Sequence, residues 1–362
     1  MQYNVIGLMS GSSLDGLDIV FIHFEETAGK WEFDIQESAC ISYTHEWKQK
    51  LSGLTRLNAK EYLLLHTAYG HWLGKCVNDF LEEKNLAYRV QLIASHGHTA
   101  FHLPADRMTA QLGDGAAIAA VTGIRTITDL RNVDIALGGQ GAPIIPIGEK
   151  LLFPDYDLFL NIGGIANLSA NRQSFIGFDV CPANRILNLL AKNTEKGYDE
   201  NGKIAATGNV DDHLLKKLNA FNYYQLDFPK SLSNEFGLNE IFPVIEKANL
   251  SKPDELRTYV QHIVDQISKA LIHLKSGISG KDILRLFITG GGAHNLFLVN
   301  RLQEELSTHG IECIIPSGEL VDYKEALVIA LMGVLRWRED INVLSTVTGA
   351  SKDSINGAVW SV

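Results

Sequence analysis

Cysteine and proline are scarce in this chain, at four and nine residues among 362. Cys40, Cys76, Cys181 and Cys313 lie far apart, with no CxxC pair and no metal-ligand spacing. That excludes a disulfide framework and predicts thiols in a reducing compartment. No run of about 18 apolar residues occurs, so no membrane span is expected. The opening MQYNVIGLMSGSS has neither the basic start nor the long apolar stretch of a secretory leader, and a cytoplasmic location is expected. Positive charge is short too: 32 Lys+Arg against 42 Asp+Glu leaves a net −10. With no basic stripe to track phosphates, duplex nucleic acid is not an expected partner.

What is present describes a packed protein. Hydrophobic residues make up 46% and aromatics 9%, a globular composition. At roughly 150 residues per domain the length predicts two domains. Glycine is plentiful at 32, which suits close backbone approach more than linkers.

Residues 3–9, 17–24 and 31–43 are apolar runs rich in β-formers, and a Ser-Gly-Ser-Ser turn separates the first two. Helical spacing follows over 59–81, then a strand over 90–95 that delivers Ser95-His96-Gly97-His98-Thr99. The order strand, glycine turn, strand, strand begins again at 157, with strands over 165–169 and 175–179. Helices over 185–191, 253–274 and 325–338 and a strand over 283–289 complete the pattern. Strands alternating with helices predict an α/β protein of two similar halves, 1–155 and 156–362, with a ligand cleft between them. Whether the C-terminal segment returns to the first half stays open.

Five segments carry candidate chemistry. Gly7 to Asp18 follows a strand, and Gly, Ser and Gly there expose N–H groups and hydroxyls of the kind phosphate needs. It is neither a Walker A loop nor a GxGxxG fingerprint, and a solvent-facing hairpin is the plainer alternative. Asp15 beside such donors suits Mg²⁺. Asn161-Ile-Gly163-Gly164 and Thr289-Gly290-Gly291-Gly292 also follow strands, suiting a second phosphate turn and a turn admitting a flat base. Asp179, between a strand and a helix, is either a general base or the cap of that helix. Arg131 lies among dense polar groups and suits either a carboxylate ligand or a structural Arg–Asp pair. His96, His98 and His102 read as polar lining, since no metal-ligand spacing accompanies them.

Together these residues resemble the anhydro-N-acetylmuramic acid kinases, a family of the sugar kinase, Hsp70 and actin superfamily. The matching motifs include GLMSGSSLDGLD (7–18), SHGHTAFHLP (95–104), NIGGIANLS (161–169), GFDVCPANRILN (177–188), FPKSLSNEFG (228–237) and GGGAHN (290–295), in family order along the chain. The resemblance implies two ribonuclease H-like halves with a cleft between them. It implies ATP, Mg²⁺ and an amino sugar as ligands, with a homodimer left open. Gly11, Ser12, Ser13, Leu14, Asp15, Gly16, Leu17 and Asp18 match the first phosphate segment, with Asp15 near the metal. Gly163 and Gly164 match the second phosphate turn, and Gly290, Gly291 and Gly292 the adenosine motif. Asp179 matches the catalytic base, and Arg131 and Glu325 match sugar-pocket positions. The family's reaction opens the 1,6-anhydro ring and phosphorylates O6, giving N-acetylmuramic acid 6-phosphate in cell-wall recycling. The chain departs from the usual pattern at Ser12 (Thr), His98 (Gln) and the run Val180-Cys181-Pro182-Ala183 (Thr-Gly-Pro-Gly). A paralogous kinase for another amino sugar, or a silent ATP- and sugar-binding sensor, is the alternative that this altered run keeps open.

Overall fold

Three β-rich stretches open the chain and pair as antiparallel neighbours: β1 (Gln2–Ser10), β2 (Gly16–Thr27) and β3 (Lys30–Ser42). β4 (Leu92–Leu103) lies parallel to β1, and β6 (Thr126–Thr128) parallel to β4. β5 (Met108–Leu112) folds back on β4. The computed structural model describes all residues except 12, 13, 173, 229, 279 and 280 and the side chain of residue 234.

The opening pattern recurs from residue 158. β7 (Leu158–Ile162), β8 (Ile165–Asn171) and β9 (Phe175–Pro182) are antiparallel neighbours, and β10 (Leu284–Thr289) and β11 (Ile311–Ile314) add parallel strands. The two sheets run β12-β6-β4-β1-β2-β3 and β11-β10-β7-β8-β9, where β12 is Ala358–Trp360. Both contain the ribonuclease H-like order, an antiparallel triplet extended by parallel strands on the side of its first member. Contacts divide the chain into one unit of Met1–Phe153 with Tyr323–Val362 and another of Pro154–Asp322.

Helices cover these sheets because their apolar positions recur every three or four residues. The helix Ala59–Glu83 starts at a reciprocal capping box between Asn58 and Glu61 and buries Leu65, Tyr69, Leu73, Val77 and Phe80 in the first unit's core. In the second unit the helix Lys252–Lys275, capped by Ser251, buries Leu256, Val260, Ile263, Ile267 and Leu271. Each such side chain contributes about 1.5–3 kcal/mol of burial.

Two boundaries differ from the sequence pattern. β4 runs on through the polar His-Gly-His segment because β5 pairs with its second half. The last long helix spans Gly318–Trp337, so Glu325 sits inside it and not at its start. No cysteine forms a disulfide, and among the described residues no helix is long and apolar enough to cross a membrane.

Candidate functional site

In the second unit, β7 and β10 are parallel neighbours with Asn161 opposite Thr289. The Gly163-Gly164 and Gly290-Gly291-Gly292 turns therefore leave the same end of one strand pair, the end at which α/β sheets bind ligands. The five glycines are not equivalent. Gly290 has φ +82°, and a Cβ there would lie 2.4 Å from Asn161 Oδ1. At Gly292 a Cβ would lie 2.3 Å from Ile162 Cγ2. Folding alone requires glycine at these two positions. At Gly163, Gly164 and Gly291 the nearest atoms would be 3.4, 3.8 and 3.6 Å away, so packing makes no such demand. A Cβ at any of these three would make only ordinary contacts.

The first helix turn after β9 closes on this region. The N–H groups of Ala183 and Asn184 donate to the carbonyls of Gly164 and Gly163 at 2.8 and 3.1 Å, and Asn184 Nδ2 donates to Ile162 O at 3.0 Å. Arg185 lies over the turn, its Nε 3.9 Å from where a Gly164 Cβ would be. No carboxylate pairs with Arg185 among the described residues, leaving a cation beside an exposed backbone turn. Sequence reading passed over Asn184 and Arg185, although both stand in the GFDVCPANRILN motif.

Asp179 lies on β9 at a register shift opposite Asn167. It does not cap the following helix, Asn184–Leu190, whose N-cap is Ala183 with no side-chain bond. The carboxylate Oδ2 instead accepts the Leu232 N–H at 2.9 Å. The Asp179 N–H donates to Lys230 O at 3.1 Å, and Tyr223 Oη donates to Asp179 O at 2.7 Å. No donor reaches Oδ1 among the described residues. Burial pushes the carboxyl above the ordinary aspartate range, and the Leu232 N–H only partly opposes it. Val180, Cys181 and Ala183, where the chain departs from the family pattern, are buried in this unit's core. Their side chains fill the interior of this unit.

In the first unit the segment 11–18 leads from the end of β1 into β2, and its Ser12 and Ser13 lie outside the described residues. Gly11 is half-buried, and Leu14 adopts φ +58°. Gly16, Leu17 and Asp18 belong to β2; Leu17 is buried, and a Cβ on Gly16 would meet Cys40 Sγ at 2.7 Å. Asp15 is exposed at the tip. No group of three His, Cys, Asp or Glu side chains able to hold a metal occurs among the described residues. A lone exposed carboxylate fits Mg²⁺, which keeps water and phosphate oxygens as its other ligands.

Arg131 is not in a structural Arg–Asp pair. Its Nε donates to His96 Nε2 at 2.9 Å and Nη1 to Gly141 O at 2.5 Å. His96 Nδ1 in turn lies 2.9 Å from Gly97 O, which assigns the proton to Nδ1 and leaves Nε2 as acceptor. Burial and the adjacent guanidinium push His96 down to about 3, so it stays neutral. Burial also lowers Arg131 to about 10, while the charges of Glu325 and Asp134 favour its cationic form. Glu325 is raised by burial, against the pull of Lys324 and Arg131, and no hydrogen bond engages it among the described residues. A cation held by neutral acceptors and a carboxylate without a donor together suit a polar ligand.

Comparison with known proteins agrees in one direction. Residues 3–362 match the family described as anhydro-N-acetylmuramic acid kinase. Relatives of that name from Hydrogenovibrio crunogenus (strain DSM 25203 / XCL-2) and Shewanella woodyi (strain ATCC 51908 / MS32) are each 34% identical over 98% of this chain, covering 97% and 98% of their own lengths. One from Vibrio vulnificus (strain CMCP6) is 32% identical over 98% of both. Among solved structures, a ROK family glucokinase from Streptomyces griseus in complex with glucose and AMPPNP is 11% identical, with a TM-score of 0.43 over 91% of this chain and 99% of that one. With a family match from the third residue to the last and relatives aligned almost end to end, this chain belongs to the anhydro-N-acetylmuramic acid kinase family.

Proposed function

We propose that this chain phosphorylates 1,6-anhydro-N-acetylmuramic acid with ATP while opening its anhydro ring, in cytoplasmic recycling of cell-wall sugar. Water attacks the anomeric carbon, and Asp179 takes its proton. The C1–O6 bond breaks, and the released O6 attacks the γ-phosphorus as ADP leaves. The products are N-acetylmuramic acid 6-phosphate and ADP. Such a reaction asks the protein for position, charge neutralisation and one base.

The observation that carries this reading is the carboxylate of Asp179. One oxygen is fixed by a backbone N–H, the other has no donor among the described residues, and burial holds the proton affinity above that of ordinary aspartate. A base of that kind is suited to take a proton from water near neutral pH. Gly163, Gly164 and Gly291, with Gly290 and Gly292 shaping their turn, serve the nucleotide, and Gly11 to Asp18 serve its phosphates. Asp15 would hold Mg²⁺, which supplies neutralisation of triphosphate charge. Arg131 and Glu325 bind the sugar.

Mass spectrometry of purified protein with ATP, Mg²⁺ and the anhydro sugar tests the reading. The product should gain the mass of one phosphoryl group and one water. Gain of phosphoryl without water, or unchanged sugar, contradicts it.

A further inference from the structure

A chain of buried hydroxyls ends on His98. Tyr69 Oη lies 2.6 Å from Tyr43 Oη, Tyr43 Oη 2.6 Å from Ser10 Oγ, and Ser10 Oγ 2.9 Å from His98 Nδ1. All four residues are buried, and Tyr69 is wholly inaccessible. Such a chain can run in two directions, and its closed end decides between them. The Tyr69 hydroxyl is wholly buried, lies near Ser10, and meets hydrogen-bond geometry with Tyr43. If Tyr43 donated to Tyr69, the Tyr69 O–H would be left buried with no acceptor in hydrogen-bond geometry among the described residues, which folded proteins avoid. Tyr69 therefore donates to Tyr43, Tyr43 to Ser10, and Ser10 to His98 Nδ1. The ring proton is left on Nε2.

Burial also pushes His98 down to about 4, so the ring carries one proton at neutral pH. No partner engages Nε2 among the described residues. The same strand carries His96, close enough to His98 for electrostatic coupling, and His96 holds Arg131.

We infer that the Tyr69–Tyr43–Ser10 chain locks His98 in its Nε2–H tautomer, making it a fixed donor to an oxygen of the amino sugar. Ser10, Tyr43 and Tyr69 are then positioning residues, and His98 is a sugar-binding one. The donor role rests on the proposed kinase function; the tautomer does not.

Two measurements on the full-length protein test this. Long-range ¹H–¹⁵N NMR, with the His98 signals identified by their loss in His98→Gln, should show Nε2 protonated and Nδ1 bare. A proton on Nδ1 overturns the inference. Ser10→Ala removes the donor to Nδ1 and should bring the second tautomer into exchange. A single unchanged Nε2–H form in that variant overturns the role of the chain. In steady-state kinetics, Gln at position 98 offers an acceptor and a donor of the same sense and should keep the sugar KM within about threefold of wild type. His98→Leu offers neither and should raise it roughly tenfold, with the ATP KM unchanged. An unaltered sugar KM in His98→Leu, or a rise confined to ATP, overturns the donor role. Wild-type protein that consumes no amino sugar removes the donor role together with the proposed function, while the NMR measurement still decides the tautomer.

Discussion

Asp134 and Asp179 are both sheltered carboxylates, yet their surroundings differ in how many donors they supply. Asp134 is wholly buried, and each of its oxygens is engaged: Thr348 Oγ1 donates to Oδ1 at 2.6 Å and the Gly141 N–H to Oδ2 at 2.7 Å. Its own N–H donates to Asn356 Oδ1 at 3.0 Å, so the residue ties the 134–141 loop to the C-terminal segment. Asp179 has one backbone donor on one oxygen and none on the other among the described residues. A carboxylate with a donor on each oxygen is suited to holding structure together. One with a lone pair to spare, and a raised proton affinity, is equipped for chemistry.

The largest effect expected from this contrast is on turnover. Asp179→Asn keeps the shape and the bond from Leu232 but removes the proton acceptor, so kcat should fall by roughly 10²–10⁴. Its stability should not fall. Burial raises the folded-state pKa of Asp179 above its unfolded value, so this group's contribution to stability is full below the unfolded pKa and is lost as pH rises through the folded one. Asparagine removes that loss, and the variant should melt at or above the wild-type temperature at pH 7. Activity has the opposite sign, because the base works only when ionised. The acid limb of wild-type kcat should lie above the ordinary aspartate range and be missing from the residual activity of Asp179→Asn. Undiminished turnover in the variant would break the contrast.

Asp134→Asn should behave in the reverse way. Its amide keeps an acceptor for only one of the two donors and loses the charge that strengthens both bonds, at a stability cost on the order of 1–3 kcal/mol. Urea unfolding measures this directly, and a midpoint equal to wild type would show that the bonding of Asp134 is dispensable.

The smallest expected effects separate the glycines. Gly292→Ala drives a Cβ against Ile162 and should cost about 1–3 kcal/mol. Gly291→Ala meets nothing closer than 3.6 Å and should stay within about 0.5 kcal/mol of wild type, while the ATP KM rises. Equal destabilisation by the two substitutions would mean that the room at Gly291 is not kept for a ligand.

Features set by neighbours in sequence were legible before the structure. The three opening strands, the restart at 157 and the helix following Ser251 all follow from local periodicity and caps. The glycine turns were legible as motifs, but not which glycines the fold itself requires, because that depends on Ile162 and Asn161 across the sheet. By position in the sequence, Asp179 reads more readily as a helix cap than as a base. The deciding partner, Leu232, lies 53 residues away. A distant partner likewise decides the burial of Lys324 on the helix that carries Glu325. Lys324, polar by type, is 2% exposed and pairs with the buried Glu149 at 2.9 Å, a contact spanning 175 residues. His96 as the partner of Arg131, and the hydroxyl chain behind His98, also depend on pairings that the strand order creates.

In the proposed mechanism Asp179 draws a proton from water attacking the anomeric carbon. Running the reaction in H₂¹⁸O tests it most directly, with product sampled early or reduced at once to prevent exchange through the open-chain form. The account predicts ¹⁸O on the anomeric oxygen, while O6 stays unlabelled within the phosphate ester. Product without label at C1 would contradict it, because water would then not be the nucleophile and Asp179 would have no such proton to take.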